Sequence, residues 1–326
     1  MLFLEVVSQL PKRNAQKKDE TRCGHAQCTL RDGRVMITGG CNYNGVCRKV
    51  DIWDPTTNAW SKGRPMRAAR RNHRQHVLAD GRVLAVGGGE NSLEIYDPAA
   101  NVWKSVVWNI EGTPDMFASA SLRGGDVLFV GVSTRCYRMD VAAGTVTLVA
   151  PRPVDYDSAR ALITLKDGRV LMVCDTSANH GQLYDPTKDA WASTTRPPYP
   201  VSASMRSALL RDGRVVFVGR SRNMIYDPTL EAWWTTARHP TQLYHHGMSS
   251  LTDGTLVITG GIQTGSNVRM GGVSVIPTGG WTPRRNTVWP TRARQRVAQM
   301  FLTLMRAGTI PAELIMMVVT ESSSAF

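Results

Sequence analysis

Residues 32–40 read Asp32-Gly33-Arg34-Val35-Met36-Ile37-Thr38-Gly39-Gly40: a tight turn, a short apolar run and a glycine pair. The turn and the run return five times, at Asp80-Gly81-Arg82-Val83, Gly124-Gly125-Asp126-Val127, Asp167-Gly168-Arg169-Val170, Asp212-Gly213-Arg214-Val215 and Asp253-Gly254-Thr255-Leu256. The glycine-to-glycine steps are 48, 44, 43, 45 and 41 residues. A period of about 44 residues points to a propeller or a solenoid rather than to one folded sheet.

The residues after each turn separate the two. The runs from Val35, Val83, Val127, Val170, Val215 and Leu256 are short, rich in β-branched residues and not alternating, as strands buried on both faces are. Three runs end in glycine pairs, Gly39-Gly40, Gly87-Gly88 and Gly260-Gly261, where the chain needs positive φ and close backbone approach. A later strand in four units closes on Trp53-Asp54-Pro55, Tyr96-Asp97-Pro98, Tyr184-Asp185-Pro186 or Tyr226-Asp227-Pro228, a turn in which Asp caps and Pro fixes φ. Six residues after each of those aspartates stands a tryptophan: Trp60, Trp103, Trp191 and Trp233. In the first unit the strands fall at 26–30, 34–39, 50–54 and 59–61. Four per unit is the number a propeller blade requires. The expected fold is all-β, a six-bladed propeller over 21–285, with the glycine pairs and tryptophans in structural roles.

At this point the chain resembles the kelch-repeat family over roughly residues 23–284. The glycine pair after an apolar strand, the aromatic-Asp-Pro turn, the spaced tryptophan and Met66-Arg67-Ala68-Ala69-Arg70 before His73 all match its pattern. Departures fall in single units: Val146 stands in the tryptophan position of the third, Cys174-Asp175 replaces the glycine pair of the fourth, and Trp281 comes one step early in the sixth. The resemblance implies a protein-interaction module that recognises its partner through loops. Strands are consumed by packing, so the loops after the glycine pairs and before the next inner strand are the expected contact surface. The residues expected to touch a partner are Asn42, Tyr43, Asn44, Arg70, Arg71, Arg220, Arg222, Tyr244, His245 and Arg269. The loops 41–49 and 262–272 are expected to protrude. His25 and His73 share one register position and are expected to cap the turns into inner strands.

Two segments flank the propeller. Residues 1–20 contain Leu2-Phe3-Leu4-Glu5-Val6-Val7, an expected ring-closing strand. Residues 286–326 change period: Val297, Met300, Phe301, Leu304 and Met305 make one apolar helical face, and a second helix is expected from Pro311. One reading packs this tail on the propeller rim. The other starts from Ile310, Pro311, Glu313, Leu314 and Ile315, which resemble the opening of a truncated F-box. That resemblance implies docking on a ubiquitin-ligase adaptor subunit while the propeller selects a substrate.

Composition bounds the rest. The formal net charge is +13, carried by 31 arginines and eight lysines spread along the chain. Two readings stand: a compositional preference for arginine, or a basic propeller face that attracts acidic peptide segments by field and bidentate contact. No aromatic-basic stacking motif of a nucleic-acid module is present. Glu5 breaks the first apolar stretch, so no signal peptide is expected, and no run approaches the ~20 apolar residues of a membrane helix. The six cysteines lack a framework spacing and read as reduced thiols. The expected location is therefore the cytoplasm, the host-cell cytoplasm for a viral source. A zinc site from Cys23, His25 and Cys28 lacks paired short cysteine motifs to support it.

No enzyme, cofactor or metal is expected. Tyr244-His245 and Asp115-Met116-Phe117 resemble segments of galactose-oxidase-like copper radical enzymes, which are also kelch propellers. Ala118 stands where that resemblance implies a cross-linking cysteine, and Ala159 where it implies the tyrosine partner.

Overall fold

The computed structural model describes residues 21–276, apart from 90–92, 107–117, 132–133, 154–158, 175–180, 203–204, 220–222, 237–242, 264, 267–268 and 270–272. The proposed strand at 2–7 and the tail 286–326 lie outside the described residues.

Each repeat folds into its own antiparallel sheet, with strands paired in chain order. Blade 1 is Ala26–Thr29, Val35–Thr38, Val50–Asp54 and Ala59–Gly63. Blade 2 is Arg74–Val77, Val83–Val86, Leu93–Asp97 and Val102–Val106. Blade 3 is Ala118–Ser121, Val127–Val130, Cys136–Asp140 and Thr145–Val149. Blade 4 is Ala159–Thr164, Val170–Cys174, Gln182–Asp185 and Ala190–Ser193, with a bulge between Ala159 and Ala161. Blade 5 is Arg206–Leu209, Val215–Val218, Asn223–Asp227 and Ala232–Thr236. Blade 6 is Gly247–Ser250, Leu256–Thr259 and Val273–Ile276 among the described residues. The first strand of each blade lies innermost, and neighbouring inner strands touch around the full circle, blade 6 against blade 1 included. This is a six-bladed β-propeller.

The apolar runs do not alternate because each second strand is sandwiched between two blades. Val215 and Phe217 pack toward blade 4 with Leu171, Val173 and Trp233, whereas Val216 and Val218 pack toward blade 6 with Met248, Leu256 and Ile258. Six such clusters exist, one for each gap between blades. The gap between blades 6 and 1 has the smallest buried apolar set among the described residues, Val35, Ile37, Trp53 and Val257.

The aspartate turns form as the sequence predicts. Asp54, Asp97, Asp185 and Asp227 each accept the backbone N–H two residues on, at 2.8–3.0 Å. The turn then needs left-handed backbone at Asn58, Asn101, Asp189 and Glu231, where φ is 45–54°. The tryptophans tie outer edges together. Trp103, Trp191 and Trp233 donate Nε1–H to the carbonyls of Arg64, Ala150 and Thr195 of the preceding blade, at 2.8–3.0 Å. Each also stacks at a tilt on the tyrosine opposite it, with ring centroids 4.8–5.0 Å apart. Val146 pairs with Met139 in the blade that lacks the tryptophan, and four strands form there regardless.

The inner strands are joined by hydroxyls. Thr29 donates to Ser250 O at 2.7 Å, Ser250 to Leu209 O at 2.8 Å and Thr164 to Ser121 O, all at the same register position. His25 and His73 do not cap turns as expected. Their Nε2 atoms reach the hydroxyls of Thr259 (2.9 Å) and Thr38 (2.7 Å) at the end of the preceding blade's second strand. At the seam Gln27 adds bonds to Ser249 Oγ (2.8 Å) and Val257 O (3.0 Å), and accepts one from Thr259.

Gly247 sits inside that seam. A Cβ there would lie 2.5 Å from His25 Nε2, 2.6 Å from Gln27 Oε1 and 2.8 Å from Thr259 Oγ1. Gly247→Ala is therefore expected to cost about 1–3 kcal/mol through overpacking. Gly124→Ala, whose Cβ would meet nothing within 4 Å, is expected to leave the urea midpoint unchanged. Equal midpoints for the two variants would show that the seam does not limit stability.

Candidate functional site

The two ends of the propeller differ in how they use arginine. One end carries the Asp-Gly turns, and there four arginines are neutralised by their own turns. Arg34, Arg82, Arg169 and Arg214 each donate Nε–H to the aspartate two residues earlier at 2.6–2.8 Å. The other end carries the glycine pairs and the connections into inner strands. Among the described residues Arg48, Arg67 and Arg71 form no ion pair there. Arg31, Arg123, Lys166 and Arg211 add charge beside the Asp-Gly turns, but the aspartates of the outer turns, Asp54, Asp97, Asp140, Asp185 and Asp227, lie at that same end, so the excess positive charge of the described fold is biased to the glycine-pair end.

Two buried arginines at that end are structural. Arg70, fully buried, donates Nε and Nη2 to Glu94 Oε1 at 3.1 and 3.0 Å and Nη1 to Gly87 O at 2.7 Å. Glu94 also accepts the backbone N–H groups of Arg67 and Ala68. Arg22 repeats the device one blade earlier, with Asp51 and the carbonyls of Gly39 and Lys49. The expectation that Arg70 contacts a partner is therefore corrected: its guanidinium holds the connection between blades 1 and 2. Asn42 is corrected likewise, being buried, with its Oδ1 accepting Asn44 N–H at 2.9 Å. A sequence shows that both lie in loops but not that the loops fold back onto a carboxylate or onto themselves.

The remaining expected residues divide as follows. Tyr43 is 58% exposed on the tip of a hairpin made by Cys41–Asn42 and Gly45–Val46, and Asn44 is exposed beside it. The guanidinium of Arg269 lies over the Tyr43 ring at 4.9 Å, so the two loops expected to protrude meet. Tyr244 and His245 are half-buried at the end of Leu243–Tyr244, which pairs with Ile262–Gln263. Arg71 is exposed, and its charge together with that of Arg206 adds to burial in holding the His245 imidazole below its usual pKa. Arg220 and Arg222 lie outside the described residues, as do Ile310, Pro311, Glu313, Leu314 and Ile315.

The inner strands enclose a channel of about 310 Å³ whose wall includes all six blades. Its described lining contains Arg74, Arg206, His25, His73 and His76 and no aspartate or glutamate. Arg74 faces Val86 in the blade 2 ladder and Arg206 faces Val218 in that of blade 5, so both occupy the first inner-strand position, in blades opposite one another in a six-membered ring. Ala26, Ala118 and Gly247 hold that position in blades 1, 3 and 6. Burial, then the charge of Arg74, lowers the Arg206 pKa to about 9, which still leaves a cation at neutral pH. Gln75 lines the wall beside them, and both atoms of its amide are buried without a hydrogen-bond partner. Local sequence gives no sign that Arg74 or Arg206 lines the channel. Aligning the units on their inner strands, rather than on their turns, is the signal that finds both.

The charges converge on the histidines. Burial first, then Arg70, Arg74, Arg206 and Arg22, lowers the His73 pKa to about 3, and burial with Arg74 lowers that of His76 to about 4. His25 is driven well below its usual value by burial, then by Arg22, Arg206, His246 and His73. These imidazoles are neutral in the folded protein, so the mouth's positive charge is arginine.

The residues do not assemble the metal sites considered from sequence. Cys28 is buried in the core between blades 1 and 2, His25 bonds Thr259 and Cys23 faces Cys41, so the three do not converge. Among the described residues no three His, Cys, Asp or Glu side chains are placed to hold an ion. Ala118 opens the blade 3 inner strand and Ala159 that of blade 4, so the thiol and phenol of a copper radical site are missing from those positions.

Comparison with known proteins agrees with the repeat. The kelch motif matches residues 22–67. Kelch-like protein 25 of Xenopus tropicalis is 26% identical over 205 residues, 55% of this chain and 33% of its own length. Kelch-like protein 25 of Homo sapiens is 34% identical over 122 residues, 32% of this chain and 20% of its own length. The chain thus spans a third or less of these relatives. Among solved structures, a fungal alcohol oxidase of the AA5 family in complex with copper superposes with a TM-score of 0.55 at 18% identity, covering 80% of this chain and 65% of its own. At that identity the likeness is one of fold.

Two predictions separate structural from surface groups. Arg70→Ala leaves Glu94 buried and unpaired, for an expected loss of about 3–5 kcal/mol, while Arg71→Ala is expected to fall within about 0.5 kcal/mol of the parent. Urea unfolding of both variants checks this. The second concerns pH. An unfolded chain protonates its histidines below about 6.5, whereas the fold keeps His73 and His76 neutral to about 3 and 4. Stability must therefore fall as pH drops from 6.5 toward 4, by up to about 1.4 kcal/mol per pH unit for each histidine. His73→Gln is expected to flatten that slope, and an unchanged slope would mean that His73 is charged in the fold.

Proposed function

The chain is a six-bladed propeller of kelch repeats, and we propose that it is a protein-interaction module whose glycine-pair end binds an acidic segment of a partner protein. The observation that carries this reading is the channel wall: two opposed arginines, an unsatisfied Gln75 amide and no carboxylate among its described lining. An acidic side chain entering there would meet two cations in partly desolvated surroundings, where charge-assisted hydrogen bonds are strongest. Exposed Arg71 and the Tyr43–Asn44 tip belong to loops of the same end and would supply further contacts. The opposite end is a poorer candidate because its turn arginines already hold aspartates.

This module has no catalytic role. No phosphate loop, nucleophile elbow or metal-binding helix motif occurs in the sequence, and the copper ligand pattern is broken at Ala118. The resemblance of 310–315 to an F-box opening extends the proposal: the propeller selects a substrate and the tail recruits a ubiquitin ligase.

A fluorescein-labelled glutamate-rich peptide tests the first part. It is expected to bind with an affinity that falls as salt rises, and to lose about tenfold in Arg71→Gln and in Arg206→Gln, some 1.4 kcal/mol each. Arg82→Gln on the opposite end should leave it unchanged. Loss in Arg82→Gln with none in Arg206→Gln would move the site to the other face. For the tail, capture from cells with the full chain beside a version ending at Pro290 is expected to recover ligase adaptor subunits with the full chain alone.

A further inference from the structure

Cys23 and Cys41 place their Sγ atoms 3.7 Å apart. Their backbones form an antiparallel bridge in which Cys41 N–H donates to Cys23 O at 2.8 Å and Cys23 N–H to Cys41 O at 3.1 Å. Such a doubly bonded pair holds its Cα atoms about 5.5 Å apart, near the separation of about 5.5–6 Å that disulfides favour. A second observation comes from the neighbouring blade. Arg269 directs Nη2 at Cys41 Sγ, 3.6 Å away, while its Nη1 is buried without a hydrogen-bond acceptor. A guanidinium so placed supports negative charge that develops on a neighbouring sulfur as it reacts.

We propose that Cys23 and Cys41 are a reversible thiol–disulfide pair, a modification site oxidised by peroxide. Cys41, half-buried and next to the cation, is the attacking sulfur. Its thiolate attacks one peroxide oxygen, the O–O bond breaks, and the departing hydroxide takes up a proton to leave as water, giving a sulfenic acid. The sulfur of Cys23 then attacks the sulfenyl sulfur. The S–S bond forms, the S–O bond breaks, and the hydroxyl leaves as water with the proton of Cys23. Overall two thiols and one peroxide give one disulfide and two waters. Burial raises the Cys23 thiol to about 11, with Cys41 adding to this and Arg269 opposing it, which suits a sheltered resolving thiol rather than the first nucleophile.

The other cysteines are set apart. Cys28 and Cys136 are raised to about 12 and about 11 by burial, and Cys174 is buried with Cys136 in the core between blades 3 and 4. The Cys47 thiol is engaged with Gly39 O at 3.4 Å.

The position gives the bond a consequence. Residue 23 lies between two bonds that fasten blade 1 to blade 6: Gly261 N–H donates to Arg22 O, and Gly24 N–H to His245 O. Cys41 opens the hairpin that carries Tyr43. Oxidation therefore clips the exposed loop to the seam of the ring, whichever partner the propeller binds.

The test treats the folded full-length protein with hydrogen peroxide, removes the peroxide, unfolds the protein in urea, alkylates the remaining thiols with N-ethylmaleimide and maps peptides by mass. The expected result is a Cys23–Cys41 cross-linked peptide that dithiothreitol reverses, with four of the six cysteines alkylated. Cys47→Ser should retain that cross-link, and Cys23→Ser should stop at a Cys41 sulfenic acid trapped by dimedone. Arg269→Met, confirmed folded by circular dichroism, should form it more slowly. A link between Cys41 and Cys47, direct passage of Cys41 to sulfonic acid in the parent protein, or an unchanged rate in Arg269→Met would overturn the proposal.

Discussion

Each blade of this ring is a separate sheet, so among the described residues no backbone ladder crosses from one blade to the next. What joins them among the described residues is apolar packing in the gaps, side chains that reach a neighbour's backbone or hydroxyl, and single backbone bonds such as those donated by Gly24 and Gly261 at the seam. The seam between blades 6 and 1 feels this constraint most, because its buried apolar set is the smallest among the described residues. It compensates with polar contacts. Gln27, Thr29 and His25 on one side meet Ser249, Ser250, Val257 and Thr259 on the other. Buried hydrogen bonds add little net stability individually, but one left unmade is costly. A network of this kind therefore selects one register for the closing blade more than it deepens the energy well.

The same reliance on side chains explains why a chain with net charge +13 does not simply present a uniformly basic surface. Arginine does three jobs here. At the Asp-Gly turns it folds onto an aspartate two residues away, an exposed contact of modest worth. At Arg22 and Arg70 it is buried against Asp51 and Glu94, and there the fork geometry lets one side chain satisfy a carboxylate and the glycine-pair carbonyls together. At Arg74 and Arg206 it lines a channel without acids among the described residues. Position in the blade separates the three, and local sequence does not, since Arg70 and Arg74 are four residues apart.

That distinction marks how far the sequence could be read. The fold was legible because its determinants are local and periodic. Asp-Gly turns, aspartate-capped Asp-Pro turns and unalternating apolar runs each report on a few adjacent residues, and the units repeat them in register, the Asp-Pro turn in four of the six. Even the defects were readable: Val146 replaces a tryptophan, and blade 3 still forms because Met139 and its neighbours fill the gap. The site was legible only as a set of loops. Whether Arg70 or Arg71 faces solvent depends on Glu94, 24 residues away in the next blade, and the opposition of Arg74 and Arg206 depends on ring closure. The pairing of Cys23 with Cys41 was hidden for the same reason. Their 18-residue separation matches no motif, and only the hairpin after the glycine pair brings the second back over the first.

The placement of the glycine pairs links these observations. Gly40 has φ of 88° and its missing side chain leaves room for Cys23 O and His25, each within 3.0 Å of where a Cβ would lie. Gly88 does the same for Arg71 O and His73. The second strand must therefore end in a residue without a side chain so that the connection into the inner strand can cross close above it. That crossing lifts Arg71 to the surface, sets His25 and His73 on the preceding blade's threonines, and starts the inner strand at the position Arg74 occupies. One steric requirement, met at Gly40, Gly88 and Gly261, thus builds both the joints of those blades and the end of the ring where positive charge accumulates. Variation at the residues after the crossing can change what the mouth recognises without disturbing the crossing itself. In such an architecture specificity moves independently of fold.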